Sequence, residues 1–384
     1  MADDIRSRRR RWMRAVVVAG IVVVLLGGAV LGGGGLLLYR FTSGVHQTPL
    51  LGGAAATGSP GASPAPASID GPLNILLLGS DERPGDTVDG ARSDGIVIAH
   101  IPATHDHVYL VSIPRDSRVQ IPAYPKTGYG GGTDKVNAAF SYGYAGGGGT
   151  AGGTELLALT LLQLTGVSFN AAAIVDFTGF QTVVDAVGGI DMCVDEETTS
   201  VHIGWDAGGA ETAPYRLVPP DYRPVPVPGV RPQVYQPGCQ HMSGWQALDY
   251  VRQRELIPDG DYGRERHQQQ FLKALFQKAT GTGVLANPLK LDALLRATVG
   301  AVTFDGNTYS PTDWLFNLRD IRPADVTMVK TNGGRFHTEL IGGQDFEILD
   351  STTRQLFQAM RDDTVGAFTA AHPDWIGTDG PPAS

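Results

Sequence analysis

The residues of this chain best suited to chemistry are arginines and aspartates, and they fall into two groups. In SGWQALDYVRQRELIPDGDYGRERHQQQFL (243–272), Arg252, Arg254, Asp261, Arg264 and Gln268 recur at short intervals. On a helix starting near Asp261, residues Asp261, Arg264 and Gln268 share one ~100° arc, because positions three and four apart are neighbours. Arg252 and Arg254 share a side if the chain is extended there. Three guanidiniums, an amide and a carboxylate near a helix start suit a multiply charged phosphate. Arg forks match phosphate oxygens, and helix N-termini favour anions. The bland alternative is a solvated charged face. The second group, Asp81, Arg83, Arg92, Asp94, Arg115 and Asp116, flanks a series of apolar runs. Two carboxylates beside arginines suit a hard divalent ion bridging to phosphate oxygens, Mg2+ first with Mn2+ as the alternative. The ordinary reading is aspartates in turns and surface ion pairs.

Elements that would hold these groups are legible nearby. Ser243 with Gln246 forms a capping box, which starts a short helix through Ala247, Leu248 and Val251. Pro258, Asp259 and Gly260 end its reach, and a second helix follows from about Asp261 to Lys278. Leu73–Leu78, Gly95–Ile101 and Val108–Ile113 read as strands, the last two antiparallel across the PATHDH turn. Asp94 before the second strand and Arg115 after the third then lie at one end of the sheet. If the first strand runs parallel to the third, Asp81 joins them. Lys135, in GTDKVNAAFSYGY, sits just before a helical segment.

Residues 146–153, GGGGTAGG, lack the Lys-Ser or Lys-Thr of a phosphate loop and read as a mobile linker to a helix, Thr154–Leu164. That helix is leucine-rich on more than one side. Core burial explains it, and a groove for a lipid chain is the sharper reading. Strands near 172–177 and 190–194 bracket a helix near 180–187. Residues 198–237 hold eight prolines and read as an irregular insertion. His241 and His267 show no ligand spacing. The tail, 285–384, offers helices near 289–299 and 352–361 and strands near Thr327 and Phe346.

The 384-residue chain carries a net charge of −9, which argues against general nucleic-acid binding. Residues 1–14 hold six Arg and two Asp, so the remainder stands at −13. Residues 15–39 contain no charge; as a helix they reach ~37 Å, enough to span a ~30 Å hydrocarbon core. The basic residues upstream place the N-terminus in the cytoplasm. The expected organisation is a cytoplasmic segment 1–14, a transmembrane helix 15–39 and a flexible linker 40–70. An extracytoplasmic catalytic domain 71–365 and a tail 366–384 follow. Cys193 and Cys239 fit no metal or redox spacing; outside the cell one disulfide is expected, the alternative being two buried thiols.

Taken together, the segments resemble the LytR–CpsA–Psr family of cell-envelope proteins. The resemblance rests on NILLLGSDER (74–83), RSD (92–94), VSIPRDS (111–117), DKVNAAF (134–140), VVDAVGGID (183–191), QALDYVRQR (246–254) and GDYGRERHQQQ (260–270). It implies a three-layer α/β/α domain with a central mixed sheet and a hydrophobic polyprenyl pocket. It further implies a phosphotransferase that moves a glycopolymer, such as a teichoic acid or arabinogalactan, from undecaprenyl diphosphate to a peptidoglycan sugar hydroxyl, releasing undecaprenyl phosphate. Under it, Asp81 and Asp94 are the Mg2+-associated carboxylates. Arg92, Arg115, Lys135, Arg252, Arg254, Arg264 and Gln268 form the diphosphate clamp, oriented by Asp116 and Asp261. The catalytic set is Asp94, Arg115 and Asp116, with Asp94 or Asp116 as base. Membrane anchoring beside a lipid-borne substrate fits the short linker. A polyprenyl-diphosphate hydrolase using the same site is the alternative. A transcriptional regulator fits poorly, since 14 cytoplasmic residues cannot hold a helix-turn-helix. A non-catalytic binder would not need the paired aspartates.

Overall fold

The computed structural model describes residues 48–56, 69–80, 92–219, 223–280, 302–310, 313–314, 317–318 and 321–377. The apolar segment 15–39, Asp81, Arg83 and the helix expected at 289–299 lie outside the described residues. Among those described, no helix is long and apolar enough to cross a membrane.

In chain order the strands and helices begin with β1 (Leu73–Ser80), β2 (Ser93–Ile101), β3 (Val108–Ser112), β4 (Arg118–Ile121) and β5 (Gly132–Lys135). Helices α1 (Val136–Tyr144) and α2 (Gly149–Thr165) follow, then β6 (Ala171–Asp176), α3 (Phe177–Ala186) and β7 (Ile190–Val194). Next come β8 (Thr198–Trp205), β9 (Glu211–Thr212), β10 (Tyr215–Val218), β11 (Arg223–Pro226), β12 (Arg231–Tyr235) and β13 (Gly238–Met242). Helices α4 (Gly244–Arg252) and α5 (Gly260–Thr280) carry all of the first group of candidate residues but Arg254, which lies between them. The chain continues with β14 (Val302–Asp305), β15 (Val326–Lys330), β16 (Thr338–Ile341), β17 (Gln344–Glu347), α6 (Ser351–Arg361) and α7 (Val365–Ala371).

Six strands form the central mixed sheet in the order β14-β6-β1-β2-β3-β15. β1 pairs antiparallel with β2, and β2 antiparallel with β3, so β1 and β3 run the same way. Parallel pairings of β1 with β6 and β3 with β15 complete the mixture. Side chains alternate across a strand, and β1 is buried on both faces. Ile75 and Leu77 join one core with α3, α4 and α5 residues such as Val184, Tyr250 and Leu275. Leu76 and Leu78 join the other with Phe140, Leu157 and Phe357 from α1, α2 and α6. Each fully buried leucine contributes about 2 kcal/mol, and together they fix the sheet between two helical layers.

Several expectations need correction. The stretch read as flexible linker packs in part: Leu50 and Leu51 are fully buried, and their amides donate to Asp305 Oδ2 at 2.6 and 3.1 Å. Two adjacent leucines find a hydrophobic site that the surrounding Gly and Ala do not advertise. The domain also runs past residue 365, because α7 and the turn at Pro373–Trp375 bury Phe368 and Trp375. The Gly-rich run is no linker: Gly149–Gly153 form the first turns of α2. A Cβ on Gly143 of α1 would lie 2.2 Å from the Gly152 carbonyl oxygen, so these glycines let the two helices touch. The described residues of the proline-rich insertion form antiparallel pairs, β10 with β11 and β12 with β8. Pro224 and Pro226 sit on β11, whose only partner among the described residues is β10, where a missing amide is tolerated. Finally, Asp94 is the second residue of β2 rather than its predecessor.

Candidate active site

The turn after β3 carries Arg115 and Asp116. Ser117 N–H donates to the Pro114 carbonyl at 2.9 Å, and Asn137 N–H of α1 donates to the Arg115 carbonyl at 3.1 Å. From the other side, Glu347 N–H of β17 donates to the Asp116 carbonyl at 2.9 Å. β5 pairs with β4 directly beyond this turn and ends at Lys135, whose Nζ lies 3.0 Å from Asp116 Oδ1. Arg115 Nε stands 3.7 Å from Asp116 Oδ2. Arg115 was expected at an exposed strand end; its side chain is only 13 % exposed, because the turn is packed from both sides.

The capping box at Ser243 forms as the sequence predicts, starting α4 and ending it at Arg252. Arg254 then reaches Glu255 (Nε–Oε1, 3.1 Å) and Asp261 in the first turn of α5 (Nη1–Oδ1, 3.4 Å). One turn along α5, Arg264 Nη2 meets the same Asp261 oxygen at 3.1 Å and is almost wholly buried. Burial pushes the Asp261 carboxyl up. The charges of Arg264, Arg254 and Arg115, with a side-chain hydrogen bond with Asp116, outweigh burial and hold it below the usual carboxylate range. Asp261 is therefore the joint between the β3 turn and the α5 arginines.

Gln268, one turn further along α5, reaches β2. Its Oε1 lies 3.2 Å from where a Cβ on Gly95 would stand, so glycine at 95 makes room for it next to Asp94. Arg252 bears on His202 together with Arg254 and Glu255. Arg92 is exposed immediately before β2. Arg115, Asp116, Lys135, Arg254, Asp261 and Arg264 thus converge in one cluster, with Gln268 on the same helix. Asp81 lies outside the described residues, and only the strand position of Asp94 is described.

Three acidic residues around the cluster were not anticipated. Glu255 was readable, since it follows Arg254 directly. Glu347 accepts hydrogen bonds from Tyr262 Oη (2.8 Å), Asn332 Nδ2 (2.7 Å) and His337 N–H (2.9 Å). It arrives from far along the chain, with no motif to announce it. Glu265 is buried on α5; burial, opposed by Arg264 and reinforced by Asp261, Glu347 and Asp116, pushes its carboxyl up to about 8. Cys193 and Cys239 are joined by a disulfide across the β7–β13 pair.

These features define an α/β/α domain with a cluster of arginines, a lysine and carboxylates where the β3 turn meets the α5 N-terminus. The chain belongs to the LytR_cpsA_psr family, whose pattern matches residues 54–361. It is 34 % identical over 242 residues to the probable cell wall biosynthesis protein LcpB of Corynebacterium glutamicum, covering 60 % of this chain and 47 % of that one. It is 30 % identical over 229 residues to the polyisoprenyl-teichoic acid–peptidoglycan teichoic acid transferase TagU of Bacillus mycoides, covering 60 % of each. The matches therefore span about half to three-fifths of those relatives. Among solved structures, Bacillus subtilis TagV has the same fold, with a TM-score of 0.55 at 21 % identity over 77 % of this chain and 98 % of that one.

Proposed function

We propose that this protein is a membrane-anchored phosphotransferase of the cell envelope. It moves a glycopolymer from undecaprenyl diphosphate onto a peptidoglycan sugar hydroxyl. The acceptor oxygen attacks the sugar-bearing phosphorus, the bond to the lipid phosphate breaks, undecaprenyl phosphate leaves, and the hydroxyl proton passes to Asp94 or Asp116. The observation that carries this reading is the convergence of Arg115, Lys135, Arg254 and Arg264 on Asp116 and Asp261. Phosphoryl transfer needs in-line positioning and neutralised non-bridging oxygens, which such a cluster supplies without a covalent nucleophile. The two aspartates keep the guanidiniums oriented before the ligand arrives. The name of TagU, a relative over 229 residues, points to the same chemistry.

A divalent ion belongs in this reading. Ser80, which precedes Asp81 in the sequence, pairs with Ser93, which precedes Asp94, and two aspartates would suit a hard ion that takes oxygen ligands. Bound there by Asp81 and Asp94, Mg2+ (or Mn2+) supplies charge neutralisation to the diphosphate.

The test uses full-length protein in detergent with Mg2+ and a labelled polyprenyl-diphosphate oligosaccharide, with and without peptidoglycan fragments. The expected result is release of polyprenyl phosphate that requires peptidoglycan, with label joined to the glycan. Release without any acceptor overturns transfer in favour of hydrolysis.

A further inference from the structure

We propose that Asp195, Glu196 and His267 form a binding site for a divalent transition-metal cation, separate from the anion-binding cluster. One donor atom from each lies within 4.8 Å of the other two. Acidic groups alone would carry little weight; the imidazole carries the argument. His267 is fully buried on α5, and its hydrogen bonding is met only in part, by the Tyr250 backbone. Its Nε2 lies 3.8 Å from Asp195 Oδ1, a buried oxygen of a carboxylate that the Tyr250 hydroxyl also approaches. The gap is too long for a hydrogen bond and matches two ligands on a common ion at about 2.1 Å from each. Burial and the neighbouring Arg266 keep the imidazole neutral, its pKa pushed down to about 4, so a nitrogen lone pair is available. Tyr250 stacks on the ring at 4.1 Å and fixes its plane.

The local charge agrees. Arg266 contacts Asp195 Oδ2 at 2.7 Å, Glu196 Oε1 at 2.5 Å and Asp259 Oδ2 at 2.7 Å. One guanidinium facing three carboxylates leaves an excess of negative charge, and Lys330 is the next cation out. Burial, with repulsion from Asp195 and Asp259, pushes the Glu196 carboxyl up despite Arg266. Asp195 and Glu196 keep partial access to solvent, so an ion can enter and hold water as a further ligand. One nitrogen and two carboxylate donors favour a borderline ion such as Zn2+ over Mg2+. The site ties the segment after β7 to α5, the helix that carries Asp261, Arg264 and Gln268. A cation there stiffens the helix that presents the arginines.

The test is calorimetric titration of untagged, chelator-stripped full-length protein with Zn2+ in excess Mg2+, which occupies all-oxygen sites. One saturable site is expected, accompanied by a rise in melting temperature. Glu196→Gln and His267→Gln each weaken it at least about tenfold. Glu196 lies at the solvent edge, so its variant keeps the fold, and a melting curve verifies that. Co2+ in place of Zn2+ is expected to give a visible ligand-field band that both variants lose. Absence of saturable binding overturns the proposal. So does binding that Glu196→Gln leaves unchanged in a folded protein, or a Co2+ spectrum indifferent to His267→Gln. Transfer activity enters none of these readouts.

Discussion

Two ion-pair clusters share helix α5 and are built from the same residue types, yet they are opposite in balance. Where the β3 turn meets the start of α5, four cations (Arg115, Lys135, Arg254, Arg264) gather around Asp116, Asp261 and Glu255, with Glu347 and Glu265 beside them. At the Arg266 site one cation faces three carboxylates, with a neutral imidazole beside them. The first gathers four cations at the start of a helix, with Glu265 pushed toward its neutral form, and suits an anion. The second leaves negative charge unspent and suits a cation. Ion pairs of this kind are costly to bury and weak as sources of stability. Their residual charge is therefore more informative than their number.

The sharpest way to break the comparison is Arg115→Ala. If the first cluster exists to bind charge that develops in transfer, this variant loses about a thousandfold in rate while retaining a cooperative melt. Near-normal label transfer by the variant would remove Arg115 from the clamp. Arg264→Ala tests the joint instead. It leaves Asp261 leaning on Arg254 in a mostly buried place and should cost about 4 kcal/mol in denaturant unfolding. A loss below 1 kcal/mol would mean that the pair is solvated.

The disulfide belongs to the second region, since Asp195 and Glu196 lie two and three residues after Cys193. It closes a 46-residue separation, and Cys239→Ser should cost about 3 kcal/mol. Intact non-reduced protein should show the mass deficit of two thiol hydrogens; two free thiols would remove the bridge. Zn2+ affinity should fall with it, whereas polyprenyl phosphate release should persist. Equal damage to both would show that the clusters are one unit.

The smallest effect gauges the positive field at the end of α4. Burial, then Arg252 and Arg254 against the pull of Glu255, push His202 down to about 4 from 6.5. Between those values the unfolded chain binds the proton and the folded one does not, so stability falls as pH drops from 6.5 to 4. The loss is about 2 kcal/mol, and His202→Gln should flatten that part of the stability profile. Asp261 has the same sign in a more acid window: its depressed folded pKa contributes stability above the ordinary carboxylate range, lost only in stronger acid. An unchanged slope in His202→Gln would mean that neither burial nor the arginines shift this ring.

The sequence alone determined what depends on neighbours along the chain. The capping box at Ser243, the break at Pro258 and the arc of Asp261, Arg264 and Gln268 are local, set by helix geometry within two turns. The β2–β3 hairpin followed from apolar runs and one short turn, whereas the shared direction of β1 and β3 stayed open until both were seen to pair antiparallel with β2. Tertiary structure decided what needs two distant segments. Lys135 meets Asp116 because β5 returns beside the β3 turn, and Glu347 reaches that turn from over two hundred residues away. His267 reads as an ordinary core residue until β7 brings Asp195 to its ring. Gly143 and Gly152 look like loop residues until two helices need them to touch. Leu50 and Leu51 look like tether until Asp305 receives their amides. Spacing encodes faces and caps, because those energies arise within a few residues. Charge balance at a site is a sum over segments that only folding brings together.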